Sequence, residues 1–231
     1  MKPSHTPSLS RCCAFALAVF LLPAVGSAAA ADRVVVVPLV DTVKGVPKTG
    51  QTTCYANDFP HPVIPCAGTG QDGEFQAGIP WPVPRFTDNL NGTVTDNLTR
   101  LVWLKNANCL TGKKTRAEAI NFAKILYDGL GLPFAMLDCG LSDGSTAGQW
   151  RVPNRFELES LLDLSRYSPA LPQGHPFTNV QTDYYWTSSF FSWAADLGVG
   201  WGVHMSDGMV YPRDWENEVD KCYVWLVRDG S

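Results

Sequence analysis

The chain has 231 residues, of which 45% are hydrophobic and 17% are charged, and this composition is typical of one globular domain with accessory segments. Its formal net charge is −4 at pH 7. Because the chain is acidic and has no long run of Lys or Arg, neither nucleic acid nor an anionic membrane surface is expected as the main partner.

Residues 1–30 have the pattern of a secretory signal peptide. Lys2 and Arg11 form a positive amino-terminal region, residues 14–25 are apolar, and small residues at 27–30 suit cleavage near Ala30. Removal of this segment takes two of the 18 basic residues and none of the 22 acidic ones, which leaves 16 against 22, a net charge of −6. No later stretch reaches the roughly 20 apolar residues of a membrane span. We expect an exported chain that is periplasmic, bound to the cell surface or secreted.

Residues 31–84 are punctuated by Pro and Gly and predict an extended lead-in that is pinned by a disulfide. Trp81, between two prolines, is expected to dock on the main domain, which we place at residues 85–231.

Residues 85–105 predict a tight hairpin followed by a buried strand over residues 101–104. Asn91-Gly92 stands between β-compatible flanks, and both residue types tolerate the positive φ that a two-residue turn requires. This segment also has the spacing of the middle of a calcium-binding loop. However, Thr87 and Leu98 occupy the first and last positions, where such a loop needs acidic residues. We therefore favour the hairpin and expect no metal there.

Two segments carry complete helix start signals. Thr115 with Glu118, and Asn154 with Glu157, have the spacing of a capping box, and apolar residues follow each box at helical intervals. The pattern predicts helices over residues 115–130 and 155–165. In the second helix it places leucines 158, 161 and 162 in the core and Asp163 on the solvent side.

The carboxyl-terminal third predicts strands. Tyr184–Phe190 has strand-like composition, residues 206–208 are expected to turn a second hairpin, and residues 223–228 should form a terminal strand deep in a sheet. This order of elements predicts an α+β fold with two helices on a mainly antiparallel sheet.

Five cysteines remain after the signal segment, so at least one lies outside any intramolecular disulfide. About fifteen arrangements are possible. We predict Cys54–Cys66, which closes a local loop, and Cys109–Cys139, which ties the two ends of a helical segment, with Cys222 left over. Zinc is the weaker alternative because the chain has no CxxC motif and its histidines are far apart in sequence.

Seven short sequence motifs show a resemblance to a known family over about residues 85–229. In order they are RFTDN, NGTVTDN, LVWLKNANC, CGLSDGSTAGQWRVPNRFELESLLDLS, HPFTNVQTDYYWTSS, SDGMVY and YVWLVR. Together they resemble the C-terminal domain of the Legionella collagen-like protein, a domain long catalogued without a function and common in exported bacterial proteins. The resemblance implies a C-type-lectin-like or formylglycine-generating-enzyme-like fold and adhesion to sulfated glycosaminoglycans.

This sequence departs from the calcium-binding lectin pattern. Val152-Pro153-Asn154 lacks the acid of the expected triplet, and the order at residues 214–217 also differs, so calcium-mediated sugar binding is not expected. No residues match the paired catalytic cysteines of the sulfatase-modifying enzymes. The net negative charge also disfavours sulfated polysaccharides, which are bound by Arg and Lys clusters.

The resulting hypothesis is a recognition or adhesion domain without catalytic activity or cofactor, which binds a glycan or a surface protein. Four tryptophans lie in segments of strand-like composition and are expected in the core: Trp103, Trp150, Trp186 and Trp225. The candidate ligand-binding residues lie in the less patterned segment 190–217: Trp193, Trp201, Asp207, Tyr211, Arg213 and Trp215. The alternative is an enzyme that uses a pair formed by Cys222 and His204.

Overall fold

The computed structural model describes residues 45–129, 139–194, 198–213 and 221–230, all of which lie in one compact unit. The expected signal peptide, Trp215 and Leu130 lie outside these residues. No helix in the described ranges is long and apolar enough to cross a membrane. The boundaries predicted at residues 30 and 84 remain predictions.

The expected mixture of helices and antiparallel strands is confirmed, but the strands form three small sheets instead of one layer. The elements in chain order are β1 (Cys54–Tyr55), β2 (Val63–Ile64), α1 (Asp72–Phe75), β3 (Phe86–Asp88), β4 (Thr93–Asp96), β5 (Val102–Leu104), α2 (Arg116–Ile125), α3 (Arg155–Glu159), β6 (Tyr184–Phe190), β7 (Gly200–His204), β8 (Val210–Arg213) and β9 (Val227–Arg228). A 3₁₀ turn, Ser192–Ala194, follows β6. The sheets have the orders β1-β2, β3-β4-β5-β9 and β6-β7-β8.

The lead-in is less extended than predicted, because it folds into β1, β2 and the single turn α1. The predicted disulfide Cys54–Cys66 joins β1 to the residues just after β2. Trp81 packs partly within the lead-in, where its indole N–H donates to the carbonyl of Lys48 at 3.1 Å, and partly on the predicted main domain, where the guanidinium of Arg85 lies 5.3 Å from its ring centroid.

The first hairpin is confirmed, but its predicted two-residue turn is wrong. Asp88 pairs with Val94, so a longer loop joins β3 to β4. Leu90 and Gly92, rather than Asn91 and Gly92, have positive φ values of 59° and 82°. The carbonyl of Asn91 accepts the N–H of Ser142, and a side chain at Gly92 would overlap the carbonyl of Gly140. Contacts with a distant loop therefore shape this turn.

Both capping boxes form as predicted, and both helices are shorter than predicted. Helix α2 ends at Ile125, where Leu126 turns into extended backbone and remains buried in the core. Helix α3 ends at Glu159, and Leu161 and Leu162 reach the core through tighter turns in which their N–H groups bond to Leu158 and Glu159. The carbonyl of Ser160 accepts from Arg85 at 2.8 Å.

The expected exposure of Asp163 is wrong, because the lead-in covers this side chain. The N–H of Leu164 donates to the carbonyl of Thr49, and Gly50 lies directly against the Asp163 carboxylate. The apolar pattern of a helix predicts the burial of its residues from the helix alone. It contains no information about a distant segment that packs on the helix.

The core joins the three-stranded and four-stranded sheets through tryptophan. The four predicted core tryptophans are buried, which confirms their assignment. The ring of Trp225 lies 4.7 Å from Phe177, 5.7 Å from Tyr185 and 5.8 Å from Trp103, measured between centroids. The predicted terminal strand is mostly irregular: only Val227–Arg228 is a strand, although residues 224–227 are fully buried.

The second disulfide, Cys109–Cys139, also forms as predicted, with 4.9 Å between the Cα atoms. Cys222 lies outside both disulfides and is buried. Its backbone exchanges hydrogen bonds with Lys114, just before α2.

Candidate recognition surface

Strand β7 divides the candidate residues between the two faces of the three-stranded sheet. Neighbouring residues of a strand point to opposite faces, and directly paired residues share a face. Trp201 pairs with Pro212, whereas Gly202 pairs with Tyr211 and Gly200 pairs with Arg213. Trp201 therefore lies on one face, and Tyr211 and Arg213 lie on the other.

On the first face, the ring of Trp201 is half-buried between an arginine and a second aromatic ring. The Arg155 guanidinium lies 4.5 Å from its centroid, and the Phe191 ring meets it edge-on at 5.0 Å. Arg155 is held at the start of α3, where its N–H donates to Ser189 Oγ at 3.1 Å and its side chain pairs with Glu159. A cation over an indole in this geometry is favourable and holds both groups in place.

Two large aromatic side chains project from this cluster into solvent. Trp193, in the 3₁₀ turn, is 84% exposed, and its centroid is 6.2 Å from that of Phe191. Phe156, next to Arg155, is 78% exposed. We call these five side chains, Arg155, Phe156, Phe191, Trp193 and Trp201, the Trp193–Trp201 surface. It combines exposed apolar rings with a fixed cation, and the carboxylate of Glu159 lies next to it as the ion-pair partner of Arg155.

The opposite face gathers Arg213 with groups from β6 and β7. The Arg213 guanidinium lies 4.6 Å from the centroid of Tyr184, whose ring lies 4.6 Å from that of His204. This close packing needs a glycine: a Cβ at Gly202 would lie 2.9 Å from Arg213 Cγ.

Asp207, in the second hairpin, serves the turn itself. It accepts the N–H of Met209 and a hydrogen bond with His204 Nδ1, both at 2.9 Å. These bonds, that of Met209 foremost, lower the pKa of the Asp207 carboxyl. Tyr211 is exposed beside this hairpin on β8. Trp193 and Trp201 thus share one neighbour, Phe191, whereas Arg213 and Tyr211 lie on the opposite face of the sheet and Asp207 lies in the second hairpin.

The two residues of the enzyme hypothesis have different surroundings. Cys222 is buried, and desolvation raises the pKa of its thiol to about 12, although the charge of Arg213 and a hydrogen bond with it act in the opposite direction. The imidazole ring of His204 packs against Tyr184 and hydrogen-bonds to Asp207. A thiol with so high a pKa carries almost no thiolate at neutral pH.

Three members of the Trp193–Trp201 surface were not among the predicted site residues: Arg155, Phe156 and Phe191. Arg155 and Phe156 belong to the amphipathic pattern of α3, which indicates architecture. A faint signal was available, because Phe156 does not share the spacing of the buried Leu158 and Leu161 and thus stands apart as an exposed aromatic residue.

No group of three or more His, Cys, Asp or Glu side chains in the described part of the chain is arranged to hold a metal ion. At the calcium-like letters, Asn89 and Asn91 hydrogen-bond to Thr93, and Asn89 also bonds to Thr95.

Comparison with known proteins gives one match. A family model, the Lcl C-terminal domain, matches residues 92–228. No curated protein and no solved structure matches the chain.

Proposed function

Because the chain belongs to the Lcl C-terminal domain family, we propose that it is an exported, non-catalytic recognition domain that binds a glycan on the Trp193–Trp201 surface. A surface protein is the second candidate ligand. The observation that carries the proposal is that the exposed Trp193 ring and the Trp201 ring, which Arg155 holds in position, both lie against Phe191.

The chemistry of this surface suits a sugar. The apolar faces of a pyranose ring stack on aromatic side chains, and its hydroxyl groups accept from guanidinium and donate to carboxylate groups. Trp193 and Phe156 supply open rings, whereas Arg155 and Glu159 supply the polar groups. Arg155 and Trp201 already restrain each other, so binding should cost little side-chain entropy at these two residues.

We also propose that the domain has a C-type-lectin-like fold. Two capped helices packed near small antiparallel sheets, and a carboxyl-terminal strand, β9, that pairs with β5, support this proposal. A crystal structure whose helices and sheets do not superpose on lectin-like domains would contradict it.

Export is supported by the pattern of residues 1–30 and by the two disulfides, which persist in oxidising compartments. Fractionation of the source cells checks this: a protein that retains residues 1–30 and stays in the cytoplasm contradicts export.

The enzyme alternative has less support, because burial and a raised pKa make Cys222 a poor nucleophile. Titration of the native protein with a thiol reagent discriminates between the two functions. We expect slow labelling until the protein unfolds, whereas fast labelling at neutral pH would favour the enzyme.

A glycan array probed with the purified protein tests the main proposal. We expect binding to one class of glycan and a loss of at least about tenfold in affinity in Trp193→Ala. Phe59→Ala is the matched control, because Phe59 is also largely exposed but lies in the lead-in. Equal effects of the two substitutions, or no glycan signal, would discard the glycan version and leave a protein ligand to be sought.

A further inference from the structure

Arg116, the first residue of α2, is a buried cation. Its side chain is 8% exposed, its Nη2 donates to the carbonyl of Ser188 at 2.7 Å, and its guanidinium lies 3.9 Å from the centroid of Phe190. Its Nε is buried without a hydrogen-bond partner. In the described ranges, Arg116 forms no ion pair with a carboxylate.

Such an arrangement is unfavourable by itself, because a charge removed from water needs a counter-charge or a full set of hydrogen bonds. Desolvation accordingly lowers the pKa of Arg116. Gly200 helps to admit the side chain: a Cβ there would lie 3.2 Å from Arg116 Cδ and Nε.

Arg116 lines a cavity of about 450 Å³ between α2 and the segment that leads into α3. We call it the Arg116 cavity. Its apolar walls include Ile120, Trp150 and Val152, and Lys124 provides a second cation. A third cation in the lining, Arg151, is already neutralised by Glu157 at 2.6 Å and Asp229 at 2.8 Å. Glu157 also lines the cavity and Asp229 adjoins it, so the three cations and two carboxylates leave one net positive charge, and Arg116 and Lys124 are the cations that no described carboxylate pairs with.

We propose that the Arg116 cavity binds a carboxylate that is attached to a small apolar body. A guanidinium suits the planar carboxylate, and the apolar walls can cover the rest of such a molecule. A phosphate ester fits less well, because its greater charge and three oxygens require more donors than the described lining offers. The proposal does not depend on glycan binding, because Arg116 packs on the Gly200 side of β7 and Trp201 lies on the other side.

The test compares two probes of the same shape with the purified protein, 3-phenylpropanoate and its uncharged amide. Binding is followed by titration calorimetry and by the amide NMR signals of Ile120, Lys124 and Val152. We expect the carboxylate to bind at least about tenfold more tightly than the amide, and more weakly at high salt. Equal affinities, shifts confined to residues outside the cavity, or no binding of the carboxylate at about 10 mM would overturn the proposal.

Two substitutions test which cations of the cavity bind the carboxylate. Arg116→Met should abolish the preference for the carboxylate over the amide. Lys124→Glu, at an exposed position that should not disturb folding, should weaken carboxylate binding by about threefold or more, whereas Lys48→Glu, outside the cavity lining, should not. If Arg116→Met does not fold, the Lys124→Glu and Lys48→Glu pair still decides, because equal affinities in these two variants contradict the proposal.

Discussion

Arg85 beside the four-stranded sheet and Arg116 beside the three-stranded sheet are each 8% exposed and each lie against an aromatic ring. Arg85 forms a bidentate pair with the buried carboxylate of Asp96, with both N–O distances 2.9 Å. Arg116 donates to a backbone carbonyl, that of Ser188. Burial alone therefore does not reveal what an arginine does; the counter-charge does. The first sheet uses its cation to hold the fold together, and the second keeps its cation beside a cavity.

The largest expected effect separates these two arginines directly. Arg85→Met should cost about 3–5 kcal/mol of the free energy of unfolding, because it strands the buried Asp96 carboxylate without its cation. Arg116→Met should cost less, about 1–2 kcal/mol, because it strands a backbone carbonyl, that of Ser188, and no carboxylate. Denaturant unfolding of both variants measures the difference. Equal losses would show that the two charges have the same structural role.

A second test asks whether the three-stranded sheet is built around its arginines. Gly202→Ala should cost about 1–3 kcal/mol of unfolding free energy, because the added Cβ would lie 2.9 Å from Arg213 Cγ and 3.4 Å from Tyr184 Cδ1. Gly200→Ala is the milder control, because its nearest neighbour is the flexible Arg116 side chain at 3.2 Å. If Gly202→Ala has the same midpoint denaturant concentration as the wild-type protein, the Arg213 side chain does not pack closely on Gly202.

Acid should weaken both sheets through different carboxylates. The Lys105 ammonium foremost lowers the pKa of Asp88 in the four-stranded sheet, and the N–H of Met209 foremost lowers that of Asp207 in the second hairpin. A lowered pKa in the folded state stabilises the protein above the ordinary value of 3.8, and this contribution is lost as the pH falls through the folded-state pKa.

Unfolding measured from about pH 6 down to about pH 2.5 should therefore show a fall in stability below about pH 4. The fall should be shallower in Asp88→Asn and in Asp207→Asn. An unchanged acid slope in either variant would show that its carboxylate does not contribute to the loss of stability in acid.

The smallest effect is expected at the exposed edge of the three-stranded sheet. Trp193→Ala should change the free energy of unfolding by no more than about 0.5 kcal/mol, because the side chain is largely in solvent. Thermal unfolding alongside Phe59→Ala checks this expectation. A clear loss of stability in Trp193→Ala alone would mean that Trp193 packs on the protein in solution and is unsuited to recognition.

The sequence predicts the structural features that depend on neighbouring residues and misses those that depend on distant segments. Both capping boxes follow from residues three apart, and the short Cys54–Cys66 loop and the second hairpin are equally local. The turn at Leu90 was missed because its shape depends on the loop at residues 140–142, and the burial of Asp163 depends on Thr49 and Gly50.

The candidate site was harder to predict for the same reason. Trp193 and Trp201 stand out by residue type, but the rings and cations around them come from α3 and from the end of β6. The burial of Arg116 depends on a glycine in β7, far along the chain, so no local pattern marks it.

The pairing of β9 with β5 has a consequence for how the chain is made. The Trp225 indole donates to the carbonyl of Leu104, 121 residues earlier, so the four-stranded sheet must wait for residues near 225 to leave the ribosome. A nascent chain stalled at residue 220 should therefore be digested by protease as readily as an unfolded one. Until those residues have emerged, β5 lacks the neighbour with which it pairs on this side, and the sheet stays incomplete.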